Sequence, residues 1–197
     1  MLGQQEIPEH KVPMALYPRL VGHAWAELDA AVRHWHDATR QVQGTGQFTV
    51  RHGQGVLARV LARLLRLPTE GEALATRLVI VRHAWGETWS RTFVGKELRT
   101  VQYQRGADFL AERCGGLEFQ FRLCIIEHAL EFWHTDTAGV LGPLRVPLPR
   151  RLSPRITARE WAGLEAGSLQ VAVHISLPFI GLLIAYEDCL KREDLAQ

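Results

Sequence analysis

From Thr76 to His134 apolar and polar residues alternate along the chain, interrupted at short intervals by glycine. The cleanest stretch is Leu117-Glu118-Phe119-Gln120-Phe121-Arg122-Leu123, with apolar side chains at every second position. That is the period of a strand with one buried and one wet face. The pattern predicts strands at about 77–83, 88–93, 97–103, 107–113, 117–123 and 127–134, linked by short turns at Gly86, Gly95, Gly106 and Gly115-Gly116. Three more follow at about 154–161, 169–177 and 181–187, and one precedes them at 47–52, built on Phe48 and Val50. The segment Gly142-Pro143-Leu144-Arg145-Val146-Pro147-Leu148-Pro149 cannot be a central strand, because proline lacks the ladder donor.

The period changes before Gly44. Leu20, Val21, Trp25, Leu28, Val32 and Trp35 recur at three- and four-residue steps, which predicts one helix over Pro18–Thr39, ended by Gly44 and Gly46. A second helix is predicted over Val56–Leu67, opened by Gly53-Gln54-Gly55 and closed by Pro68. Leu57, Val60, Leu61, Leu64 and Leu65 form its apolar face, opposite Arg59, Arg63 and Arg66. Such a helix serves as a lid over the open end of a sheet, the reading preferred here, or lies on a membrane surface. The fold class expected is therefore α+β: a highly curved antiparallel sheet or half-open barrel of about ten strands, with two N-terminal helices packed on it. The layout is a loose leader over 1–16, a single domain over 17–190 (helical to 68, sheet from 76) and a tail over 191–197.

Composition changes this picture little. Hydrophobic residues are 47% and charged residues 22% of 197, ordinary for a soluble globular domain. The longest apolar run, Leu177 to Ala185, is broken by Pro178 and Gly181 and is too short to span a bilayer. The start, Met1-Leu2-Gly3-Gln4-Gln5-Glu6, has no signal-peptide character, so a cytoplasmic location is expected. Three cysteines without a CxxC pair argue against a disulfide framework or a structural zinc site. Net charge is only +2, but Arg51 to Thr69 carries four arginines and no acid, and Thr137 to Arg159 five arginines and no acid. Those windows suit an anionic ligand or surface if they are not simply solvated.

Several blocks carry a resemblance: Leu16-Tyr17-Pro18-Arg19-Leu20, Val32-Arg33-His34-Trp35-His36-Asp37, Val50-Arg51-His52-Gly53-Gln54-Gly55, Leu61-Ala62-Arg63-Leu64-Leu65-Arg66-Leu67-Pro68, Glu87-Thr88-Trp89-Ser90-Arg91-Thr92-Phe93, Pro147-Leu148-Pro149-Arg150-Arg151-Leu152-Ser153-Pro154 and Ile175-Ser176-Leu177-Pro178-Phe179-Ile180-Gly181. In this order they resemble the bacterial domain of unknown function numbered 4166, over roughly Tyr17 to Leu190. The resemblance implies a domain found alone or fused behind a Rossmann-type, saccharopine-dehydrogenase-like domain, and implies no activity. These 197 residues contain no Rossmann-type segment, so no redox role or cofactor is expected. The chain departs from the family pattern after Tyr186, where Glu187-Asp188 stand in place of Gly-Trp, so the last strand is expected to close differently.

Strand parity selects the residues that could do chemistry. Trp89, Arg91 and Phe93 share a face, and so do Ile156, Ala158 and Glu160. Leu110 shares one with Asp108 and Glu112. A charge on an inner face must be paired or shifted in pKa, so Arg91 is expected to meet Glu160 or Glu112, as a register-fixing ion pair or as a ligand anchor. Trp89, Phe93, Phe119 and Phe121 would line the concave side. Arg51, beside the glycine turn into a helix N-terminus, is a second candidate anion anchor. His36 and Glu160 are separate candidates for an acid or base, with helix capping or packing the plainer role for His36. No metal site is expected, since His34 and His36 lie on different helix faces. No Gly-x-Ser-x-Gly elbow is present, and nucleic-acid binding is not expected from so small a net charge. The leading expectation is binding of a hydrophobic small molecule, with an anionic head as one option. The alternatives are isomerase- or cyclase-type chemistry on the same scaffold, or a basic module that docks a membrane, an acidic partner or a Rossmann-type protein.

Overall fold

The computed structural model describes residues 15–36 and 40–193. Its eleven strands form one antiparallel sheet that closes on itself. Strands β1 (Gln41–His52), β2 (Gly71–His83), β3 (Gly86–Phe93), β4 (Lys96–Arg105), β5 (Phe109–Cys114), β6 (Leu117–Ile126) and β7 (Ala129–Leu141) run as a meander. β8 (Leu144–Pro147) then folds back on the C-terminal half of β7, while β9 (Arg155–Ala162) takes its N-terminal half through Leu130↔Glu160 to Trp133↔Thr157. β10 (Leu169–Leu177) and β11 (Gly181–Glu193) follow, and β11 pairs with β1. Ten strands thus make a complete barrel, and β8, within the proline-rich 142–149 segment, is an extra strand outside it. Closure removes every edge from the wall, leaving only the short β8, blunted by Pro147 within it and by Pro143 and Pro149 on either side.

Several sequence expectations need correction. The single helix over Pro18–Thr39 is instead α1 (Leu16–Val21), a 3-10 turn (Gly22–Glu27) and α2 (Ala30–His36), with residues 37–39 outside the described part. Gly22 ends α1 at φ +63°, and Leu28 is extended. Asp29 then restarts the helix, its Oδ1 accepting from the Ala31 amide at 2.7 Å. Of the expected leader, residues 1–14 are outside the described part, whereas Ala15 and Leu16 are buried. Of the expected tail, 191–193 continue β11 and 194–197 are outside the described part.

Gly44 and Gly46 do not end a unit; they lie inside β1, which is twice as long as the pattern suggested. A Cβ at Gly44 would sit 2.4 Å from the Trp35 ring and 2.4 Å from the Lys191 carbonyl, so glycine is what lets Trp35 enter the barrel. Trp35, Tyr17, Val32 and Leu28 are buried there, and α1, the 3-10 turn and α2 plug that end. α3 (Val56–Leu64) connects β1 to β2 and therefore lies at the opposite end, not beside the other helices.

Candidate functional site

Inside the barrel lies a cavity of about 480 Å³. Parity decides its wall: Trp89, Arg91 and Phe93 of β3, Thr100 and Gln102 of β4, Glu112 of β5, Phe119 and Phe121 of β6, and Ile156, Ala158 and Glu160 of β9 all point inward. Leu64, Leu65 and Leu152, all exposed, belong to the same lining, so the cavity reaches solvent at the α3 end. The helical plug shuts the other end. Eight strands enclose a barrel that side chains just fill, and ten make a wider one.

The lining is apolar towards the mouth and polar at the floor. Phe48, Phe93 and Tyr186 meet edge-on or tilted, with ring centroids 5.8–6.0 Å apart. Deeper, Arg91 donates to Thr100 Oγ1 at 3.1 Å, lies 3.5 Å from Glu112 Oε1 and stacks its guanidinium 4.9 Å from the Trp89 ring centroid. Burial works against the Arg91 charge, but Tyr186, Glu112 and the carboxylates around it push its pKa above the ordinary arginine value. The Tyr17 hydroxyl of α1 donates to Gln102 Oε1 at 2.6 Å. Below them His36 Nε2 of α2 lies 2.6 Å from Glu160 Oε2, both side chains almost wholly buried. The His36 ring packs 3.9 Å from the Tyr17 ring centroid and stacks on Trp89 at 5.8 Å. His36 Nδ1 has no hydrogen-bond partner among the described residues. Glu87 completes the layer, taking Trp89 Nε1–H at 3.0 Å and Arg82 Nε–H at 3.0 Å, while Arg82 Nη2 also donates to the Trp35 carbonyl.

Two features of this floor bear on its chemistry. Burial, then the neighbouring carboxylates, holds the Tyr17 pKa well above the usual tyrosine value, and burial brings Tyr186 to about 12. Both hydroxyls are therefore hydrogen-bonding groups at neutral pH, not phenolates. Burial, with Glu112 nearby, also raises the Cys114 thiol, which keeps it protonated and a poor nucleophile.

The structure brings most of the sequence candidates together. Trp89, Arg91, Phe93, Glu112, Phe119, Phe121 and Glu160 line one cavity, and His36 lies directly behind Glu160. Arg91 finds Glu112, while Glu160 is taken by His36, so His36 bonds a strand 124 residues away and is no simple helix cap. Asp37, beside it, lies outside the described residues. Arg51 is not in the cavity. It stands on the outer wall, with two thirds of its side chain exposed, 3.9 Å from Glu187. Odd positions of β1 face outward while Phe48 and Val50 face in, so the register that makes those two core residues excludes Arg51.

Sequence reasoning missed Tyr17, Gln102, Thr100 and Tyr186 as parts of the floor. Gln102 and Thr100 were findable: they share the parity of Leu98 in β4, and a polar residue on an inner face signals a buried partner. No helix is long and apolar enough to cross a membrane, and no cluster of three metal-ligating residues occurs among the described residues.

Fold and site together define a closed ten-stranded antiparallel barrel, plugged at one end by helices and holding a cavity with an apolar neck and a polar floor. The chain belongs to the family defined as the domain of unknown function DUF4166, whose model matches residues 28–188, nearly the whole barrel and the second half of the plug. No curated protein shows a significant match to it.

Proposed function

We propose that the barrel binds a hydrophobic small molecule with a polar head, the head lying against Arg91, Glu112, Thr100 and Glu160. The observation that carries this reading is the cavity itself: about 480 Å³, apolar-walled, with convergent polar groups at one end. That volume lies within the range of ligand pockets, and such a mix of wall and floor is their usual chemistry. The floor also narrows the head group. Arg91 is already faced by Glu112, and Arg51 is outside, so an anionic head has to displace Glu112. A head that donates hydrogen bonds to Glu112 and Glu160 displaces nothing. An uncharged or donor-rich head is therefore favoured over a carboxylate or phosphate.

The test is native mass spectrometry on protein purified from its natural host, followed by denaturing extraction. A co-purifying apolar compound supports the reading. Protein that carries none, and that gains no thermal stability from any member of an apolar compound panel, rejects it.

One observation favours a second reading, acid–base chemistry on the bound molecule. Glu160 both lines the cavity and contacts His36 at 2.6 Å, so a proton taken from a ligand can pass to the imidazole behind. Under this reading Glu160→Gln retains the compound but stops its conversion. Absence of any conversion by the unaltered protein removes it.

A further inference from the structure

We propose that the open end of the barrel docks on the surface of an anionic lipid bilayer. The meander brings α3, the β3–β4 and β7–β8 turns, the 148–154 loop and the β10–β11 turn to that end. Among the described residues, ten of the fifteen exposed large apolar side chains lie in or directly beside these segments, and an eleventh, Val146, lies in β8; Trp85, Ile126, Trp133 and Leu164 lie elsewhere.

α3 is the clearest case. A surface helix normally turns its large apolar residues to the core. Here the barrel buries only Ala58 and Ala62, while Val56, Leu57, Val60 and Leu64 are exposed, Leu64 by 72%. Arg59, Arg63 and Arg66 occupy the side next to this row. Around the mouth Leu152 and Phe179, the latter 93% exposed, repeat the arrangement beside Arg150, Arg151 and Arg155.

Charge identifies the occupant. None of these six arginines forms an ion pair among the described residues, whereas Arg82, Arg91, Arg105, Arg145 and Arg159 all do. The exposed acids of this end, Glu70 in the α3–β2 link, Glu72 at the start of β2 and Glu97 at the start of β4, form no ion pair with these arginines and are half as many. Apolar side chains at loop tips, ringed by unpaired arginines, fit the headgroup and upper acyl region of an anionic leaflet, where the arginine stems lie along the apolar layer and the guanidinium groups meet phosphate. Leu64, Leu65 and Leu152 also line the cavity, so docking sets its mouth against lipid. Docking itself does not require that the cavity be used.

Flotation of the full chain with vesicles tests this. Binding is expected to vesicles of phosphatidylcholine with about a third of phosphatidylglycerol, not to phosphatidylcholine alone, and is expected to fall steeply with salt. Removing charge in Arg59→Gln, Arg63→Gln, Arg150→Gln and Arg151→Gln is expected to weaken partitioning about fivefold per arginine, on the order of several hundredfold together. Val60→Asp with Phe179→Asp, which keeps every arginine, is expected to lose binding as well. All six positions are exposed, and unchanged melting curves confirm that each variant folds. The proposal is overturned if the unaltered chain ignores anionic vesicles at low salt, or if the arginine variants bind as well as it does. It is equally overturned by a concentration-dependent dimer that Val60→Asp abolishes without any vesicle binding, which assigns the face to a second copy.

Discussion

His36 and Glu160 tie the helical plug to the barrel wall, and a double-mutant cycle across them tests that account. The contact is 2.6 Å long and both groups are almost completely shielded from water. Truncating either one leaves its partner buried, charged or polar, and unpaired, a change that costs about 3–5 kcal/mol. Removing both leaves no orphan, so His36→Leu/Glu160→Leu is expected to cost less than the two single substitutions together, by about 2–3 kcal/mol. Glu160→Gln retains an acceptor for the imidazole N–H and is expected to be milder than Glu160→Leu. The assay is urea denaturation followed by tryptophan fluorescence, since Trp35 and Trp89 report on the plug and the floor. For a chain of this size each single substitution is expected to lower Tm by about 10 °C. Additive effects, with a coupling below about 0.5 kcal/mol, would refute the idea that this pair fastens the plug.

Other outcomes are fixed by the same geometry. Gly44→Ala forces a methyl onto the Trp35 ring and the Lys191 carbonyl and should destabilise by at least about 3 kcal/mol, measured by urea denaturation; Gly95→Ala, in an open turn at φ +81°, meets no atom within 4 Å and should cost only its backbone strain. Arg91→Met leaves Glu112 without its cation, and should lower stability while Arg91→Met/Glu112→Met restores much of it in thermal melts. At Glu118, burial alone would raise the pKa, but the hydrogen bonds from Tyr103 and Arg145, with Arg105, outweigh it and hold the carboxyl below its ordinary value. Its contribution is therefore fully present above the usual glutamate value of about 4.3 and lost as pH falls through the lowered native pKa. Glu118→Gln should flatten that part of the stability–pH curve, and an unchanged acid limb would remove Glu118 as its cause.

Much of the wall was legible because a period of two is a local property. Trp89, Arg91 and Phe93, or Ile156, Ala158 and Glu160, declare a shared face without any neighbour. Whether the sheet closes was not legible, since closure depends on register between β1 and β11, about 140 residues apart, which no local pattern encodes. The glycines of β1 misled for a related reason. Gly44 looks like a turn signal until Trp35 is seen to occupy the space above it. The floor was half legible: an inward Arg91 demanded an acid, and Glu112 and Glu160 were the two on inner faces, but only the plug's position sends Glu160 to His36. The amphipathy of α3 was plain, yet its direction was not, because nothing local says that Ala58 and Ala62 are the residues it buries.

The central claim is that the barrel interior is a ligand site, and titration with an apolar fluorescent probe tests it most directly. Extracted, refolded protein should bind one probe per chain saturably. Ala158→Trp, which projects a ring into the cavity between Phe132 and Val173, should abolish that binding while leaving the fold intact. Absence of saturable binding, or binding that Ala158→Trp leaves unchanged, would contradict the account.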